Sequence, residues 1–165
     1  MLDDAAIERF SRQILLPEVG GRGQERLCAT VAAARGDADA AAFAATLLHA
    51  AGVRVVVEPG APGRLEVTIE GGTVIGITSG TRLVVTTLVG RPCARCATLS
   101  DRDGTERQPA HAQTFGALVA AETLRAALGL AREGRRQEVD LATGVVAARP
   151  IAPTAPCPDC PPAGA

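Results

Sequence analysis

Lysine and asparagine are absent from this sequence, and so are tryptophan and tyrosine. All formal positive charge is carried by arginine. Chemistry that sets a lysine on a phosphate, or an asparagine on a metal or a ribose, therefore has no such residue in this chain. Three aromatic side chains exist, Phe10, Phe43 and Phe115, so the core has to be built from Ala, Val, Leu and Ile. Net charge is −1, which gives no field to gather nucleic acid or an anionic membrane surface, and neither partner is expected. No uncharged apolar run approaches the ~20 residues of a membrane-spanning helix. The stretch from Ala40 to Val53 is too short and carries His49. The opening Met1-Leu2-Asp3-Asp4 is acidic and has no apolar h-region, so no secretory signal is read here and the cytoplasm is the expected compartment.

What is present suits a folded domain. At 165 residues and 47% apolar content, a single domain over 1–165 is expected. Its parts are an N-terminal helical segment (1–28), a βαβ core with a hairpin (29–90) and a cysteine-bearing C-terminal part (91–165). The core is the most informative stretch. Thr30 to Ala34 reads as a strand, Arg35 to Asp39 as a turn, Ala40 to Ala51 as a helix and Val53 to Val57 as a second strand ended by Glu58. Gly52 stands where a helix C′ glycine belongs. The expected class is α/β, a shortened Rossmann-like βαβ sheet of the nucleotide-binding type with β-hairpins attached. In such a unit the first turn reads G-x-G-x-x-G, since side chains there collide with a pyrophosphate. Here Gly36 alone remains, and Asp37 and Asp39 bring carboxylates to the place of the phosphate oxygens, where like charges repel. Either aspartate is also a good N-cap on the positive end of the helix dipole. Capping is the preferred reading.

Beyond the core, Leu65 to Glu70 alternates apolar and polar residues. Gly71-Gly72 is a hairpin signal, Thr73 to Thr78 returns, and Leu83 to Val89 is a further, more buried strand. Gln113 to Leu128 is read as a helix stopped by Gly129. Glu138 to Leu141 and Val145 to Arg149 form a hairpin around Ala142-Thr143-Gly144. The strongest chemical signal is Cys93-Ala94-Arg95-Cys96 matched by Cys157-Pro158-Asp159-Cys160. Two C-x-x-C knuckles supply four thiolates in tetrahedral array, which is how structural Zn2+ is held. Flanking prolines 92, 156, 158 and 161 limit the entropy lost on closing such a site. A disulfide is the competing reading; two matched pairs in a chain of cytosolic character weigh against it.

The N-terminal segment Glu8-Arg9-Phe10-Ser11-Arg12-Gln13-Ile14-Leu15-Leu16-Pro17-Glu18-Val19-Gly20-Gly21-Arg22-Gly23-Gln24-Glu25-Arg26-Leu27 reads by composition as a short helix from Asp4, stopped by Pro17, then a glycine-rich turn and a second helical turn. Its word order resembles the opening of the MoeB/ThiF/HesA family, bacterial relatives of ubiquitin-activating enzymes. The resemblance implies an adenylyltransferase that uses Mg-ATP on the C-terminal glycine of a ubiquitin-like sulfur-carrier protein and works as a dimer. It implies that Arg12 reaches across the interface to a partner's ATP, that Glu58 holds the ribose beside Gly36, and that the four cysteines are the family's zinc site. The helix from Thr114 to Leu124 resembles the family helix near the dimer interface, and Asp140-Leu141-Ala142-Thr143-Gly144 resembles a family hairpin. The family's glycines align with Ala34, Asp37 and Asp39, and the span from Glu58 to Cys93 is too short for its ATP- and magnesium-binding residues. Asp101 and Asp103 are the nearest acids beyond it. Binding of ATP and Mg2+ is therefore not expected to follow from the resemblance.

Three functions remain on the sequence. The first is a catalytically inactive partner subunit, in a homo- or heterodimer with a full-length ThiF/MoeB-like protein, donating Arg12 in trans to the activation of a sulfur carrier. The second is a residual adenylyltransferase with a rebuilt site, and the third a stand-alone module holding a peptide or small ligand. Cys28 is read as a small buried hydrophobe. His49 and His111 have no partners at triad spacing, and the threonines of 78–87 reflect strand propensity.

Overall fold

A computed structural model of the chain describes residues 2–90, 92–93, 111–131 and 133–151. Three short helices come first, α1 (Asp4–Arg9), α2 (Ser11–Ile14) and α3 (Gly20–Ala29). Then follow β1 (Val31–Gly36), α4 (Ala38–Ala50), β2 (Arg54–Pro59), β3 (Arg64–Ile69), β4 (Gly72–Ser79) and β5 (Arg82–Val89). After a span outside the described residues come α5 (Ala112–Ala127), β6 (Arg135–Asp140) and β7 (Val145–Pro150). The strands form one seven-stranded sheet in the order β2-β1-β3-β4-β5-β6-β7. Among the described residues only β1 and β2 run parallel, and every later pairing is antiparallel.

The βαβ unit is thus real, but its sheet is completed in an unexpected way. In place of a further parallel strand, β3 lies antiparallel against β1, in register from Ala33↔Thr68 to Gly36↔Leu65. That pairing extends β1, so Arg35 and Gly36, expected in the turn, are its last residues and Asp37 alone separates strand from helix. The hairpin expected at Gly71-Gly72 turns one residue earlier. Ile69 pairs with Gly72, and Gly71 takes the turn at φ +79°. The first expected helix is interrupted at Phe10, where ψ turns to 15° and the side chain is buried. The strand β6 begins three residues before its expected start, at Arg135, because it pairs along β5 as far as Thr87.

One face of the sheet carries α4 and α5. Leu65, Val67 and Ile69 of β3, Val74 of β4, and Leu83 and Val85 of β5 point to it, and all are buried with Phe115 and Val119 of α5. With few large side chains available, close approach of the elements replaces bulk. A Cβ on Gly116 would stand 2.5 Å from the Ala40 carbonyl of α4, and one on Gly76 would overlap the Phe115 ring. The small residues Ala40, Ala41 and Ala44 therefore let two helices and the sheet pack closely. On the other face, Ile75, Ile77 and Leu88 make a separate cluster joined by Ile151. Across β1 and β2 that second face is open, with Val31 and Val56 about half exposed. Among the described residues no helix is long and apolar enough to cross a membrane.

Candidate functional site

The corner between β1 and α4 is where a nucleotide phosphate would be sought. Asp37 is its N-cap. One carboxylate oxygen accepts from the Ala40 N–H at 3.1 Å, and the other accepts from the Gly63 N–H at 3.1 Å. The Asp37 N–H itself donates to the Arg64 carbonyl at 2.7 Å. Burial of Asp37 to 2% exposure removes water as a competitor for these bonds. Gly36, at φ +143°, is glycine because a Cβ would overlap the Arg64 carbonyl oxygen. Gly60 answers it from the facing loop, where a Cβ would stand 2.6 Å from the Gly36 Cα. The corner is therefore closed by residues 60–64 of the same chain, and its helix-terminal charge is met by an internal carboxylate. This arrangement does not fit a bound triphosphate. Asp39 lies in the first turn of α4 beside this cap, and Glu58 is exposed near the end of β2, in register with Arg35.

The N-terminal segment is anchored at the opposite end of α4. Phe10 is buried, and its ring lies 3.1 Å from where a Cβ on Gly52 would be. Gly52 (φ +99°) thus both ends the helix and makes room for that ring. The Gln13 side chain donates to the Ala50 carbonyl at 3.3 Å, and that of buried Gln24 donates to the Ala51 carbonyl at 2.9 Å. These bonds satisfy carbonyls that the end of α4 leaves open. Cys28, half-buried, has its Sγ 3.6 Å from the Gln24 amide nitrogen, within the same packing. With Phe10 and Gln13 turned inward, Arg12 is exposed on α2, and the apolar side chains beside it face solvent: Ile7 is 48% exposed, Leu16 51% and Leu15 81%.

Of the expected zinc ligands, Cys93 is half-buried just past β5, beside a small cleft of about 230 Å³ that Gly72, Leu88 and Pro92 also line. Cys96, Cys157 and Cys160 lie outside the described residues, as do Asp101 and Asp103. Among the described residues no group of three or more His, Cys, Asp or Glu side chains comes together. Gly36 and Glu58 belong to the corner, whereas Arg12 and Cys93 stand on other parts of the molecule, so the sequence-predicted residues do not converge on one site.

A second polar feature escaped the sequence reading. Glu122 lies on α5 in step with Phe115 and Val119, facing the sheet, and is 5% exposed. Thr87 of β5 donates to it at 3.0 Å, and Arg125 pairs with it at 3.5 Å. Gln137 of β6, with its amide set by its neighbours, donates to Glu122 at 3.3 Å and accepts from Arg135 at 2.9 Å. Glu122 forms the inner wall of an open cleft of about 430 Å³, together with Arg125, Arg135, Ala148, Arg149 and Pro150. The available signal was a carboxylate at helical spacing from two core residues, beside a strand threonine. At the far end of β6, Asp140 accepts from the Ala142 N–H at 2.9 Å and from Thr81 and Thr143, which holds its carboxyl below the usual range.

No protein-family model matches the chain, and no curated protein matches it.

Proposed function

We propose that this chain is a shortened, non-catalytic relative of the MoeB/ThiF/HesA adenylating enzymes that acts as a partner subunit. It offers its N-terminal arginine segment to an active full-length homologue engaged with a ubiquitin-like sulfur carrier, and holds structural Zn2+ through Cys93, Cys96, Cys157 and Cys160. The observation that carries this reading is the closed β1–α4 corner. A buried Asp37 carboxylate and the 60–64 loop take the positions on which cis nucleotide binding would depend. A chain that keeps an N-terminal motif while closing its own nucleotide corner is suited to act in trans. Support for the trans role comes from Arg12, a permanently charged and exposed guanidinium in a segment that also leaves Ile7, Leu15 and Leu16 exposed. Apolar side chains left in water beside a charge are what a docking surface offers.

The experiment is calorimetric titration of the purified protein with Mg-ATP, followed by pyrophosphate exchange with a full-length homologue in the presence and absence of this chain. No heat at millimolar nucleotide is expected, with exchange stimulated by the wild type and not by Arg12→Ala. Binding in the micromolar range would overturn the non-catalytic assignment and restore a residual adenylyltransferase. Full stimulation by Arg12→Ala would remove the arginine from the mechanism. The Glu122-walled cleft favours one other reading, a stand-alone small-ligand module, which predicts that Arg12→Ala keeps full biological activity.

A further inference from the structure

Among the described residues the last strand of the sheet has a free edge, and its bonding pattern can be read residue by residue. The Ile151 N–H donates to the Gly134 carbonyl at 2.9 Å, continuing the β6–β7 register Arg135↔Pro150 through Asp140↔Val145. In an antiparallel ladder the N–H and C=O of one residue point the same way and successive residues alternate. Residues 145, 147, 149 and 151 therefore bond to β6, whereas Val146 and Ala148 turn both backbone groups to the free edge. Pro150 faces outward as well, with no N–H to offer, which is where a proline is tolerated in a sheet. All six residues of β7 are exposed, Val145 at 61% and Val146 at 64%.

We propose that this edge pairs with the same edge of a second copy of the chain, the two β7 strands running antiparallel about a two-fold axis at Ala147. In that register Val146 faces Ala148 of the second copy, and each such pair exchanges both its backbone bonds. Pro150 falls beyond the paired segment, so its missing N–H costs nothing. The choice of a second copy rests on this self-complementarity. An isologous contact needs one strand that satisfies itself when turned end for end, and β7 does so with small side chains, Ala147 against Ala147, at the closest approach. Charge permits it too. Arg149, the only charged residue of β7, is already paired with Glu138 of its own chain at 3.2 Å. Edges that natural proteins keep monomeric carry charges, prolines, bulges or covers; of these β7 has Arg149 and Pro150, both beyond the 146–148 segment that pairs, and its register with β6 is unbroken.

Two consequences fix the strength and the place of the contact. A strand pair this short buries less than the roughly 1,200 Å² of a stable interface, so the dimer is weak, with a dissociation constant on the order of micromolar to tens of micromolar. On the helix-bearing face, Val146 of the second copy lies opposite Ala148, which lines the mouth of the Glu122 cleft. The inference is independent of the adenylating-enzyme reading, since it uses neither Arg12 nor the β1–α4 corner.

Sedimentation of the full chain across a concentration series tests it, with two kinds of variant. Ala148→Pro removes an outward N–H without touching the β6 ladder, and raises the dissociation constant about tenfold or more. Ala147→Glu and Ala147→Arg each set like charges face to face on the axis and yield monomers. An equimolar mixture of the two restores a dimer, because opposite charges then meet. Circular dichroism and thermal midpoints close to wild type show that these exposed positions leave the fold intact. A wild-type chain that stays monomeric at several hundred micromolar overturns the proposal. So does a dimer indifferent to all three substitutions, which would lie on another surface, or a charge-swapped mixture that remains monomeric.

Discussion

Asp37 shows how one side chain can be asked to do two things. It caps α4 and pins the loop that closes the β1–α4 corner, both from a buried position. Loss of an N-cap costs about 1 kcal/mol and a buried donor left without its acceptor about 1–3 kcal/mol. Asp37→Ala is accordingly expected to destabilise the protein by about 2–4 kcal/mol in urea titration. Asp37→Asn keeps an oxygen for Ala40 but turns an amide N–H2 on the Gly63 N–H, so its loss is intermediate. Equal stability of wild type and Asp37→Ala would show that the corner is held by other means. The sequence suggested a cap from the position of the aspartate alone. Its bond to Gly63 could not be read there, because nothing local in the sequence says that residue 63 returns to residue 37.

The elements were legible in proportion to how far their own residues determine them. The helix α4, its glycine stop and the strands β3 to β5 follow from period and punctuation, and the structure moves their ends by only one or two residues. What periodicity could not supply is partner choice. That β3 runs antiparallel beside β1 depends on two glycines, Gly36 and Gly60, letting backbones meet, and each glycine read alone suggests only a turn. The contact of α4 with α5 is of the same kind. Gly116 rests on the Ala40 carbonyl, so adding a methyl there opposes two effects. Gly→Ala in a helix interior gains about 1 kcal/mol, while forcing two backbones apart costs about 1–3 kcal/mol. The clash meets backbone that cannot rotate away, which puts the cost at about 2–3 kcal/mol, so Gly116→Ala is expected to lose about 1–2 kcal/mol net and Gly116→Leu clearly more. An unchanged or raised thermal midpoint for Gly116→Ala would mean that the helices part freely. The candidate site followed the same division: Arg12, Gly36, Glu58 and Cys93 could be named in the sequence, but their dispersal over separate parts of the molecule could not.

At the scale of the whole molecule, the described residues give a sheet with one face covered by helices, a second face partly open and two free edges, β2 and β7. The proposed zinc site would add a link of a different kind, joining the residues after β5 to those after β7 through four thiolates. It predicts roughly one Zn2+ per purified chain by metal analysis. Removal by chelator should lower the thermal midpoint, and Cys93→Ser should lose the metal. Metal-free protein of unchanged stability, prepared without oxidation, would sink the zinc assignment. A thiol titration then decides whether the same cysteines are disulfide-bonded.

The carboxylate at the β1–α4 corner also bears on how long such a protein lasts. A fold that needs a bound ligand to finish a helix end is populated according to ligand supply, and it fades when the supply falls. Here the counter-charge is covalently part of the chain, so its supply to the helix end does not vary. The persistence of this corner is thus written into the gene and is not tied to the energy state of its surroundings.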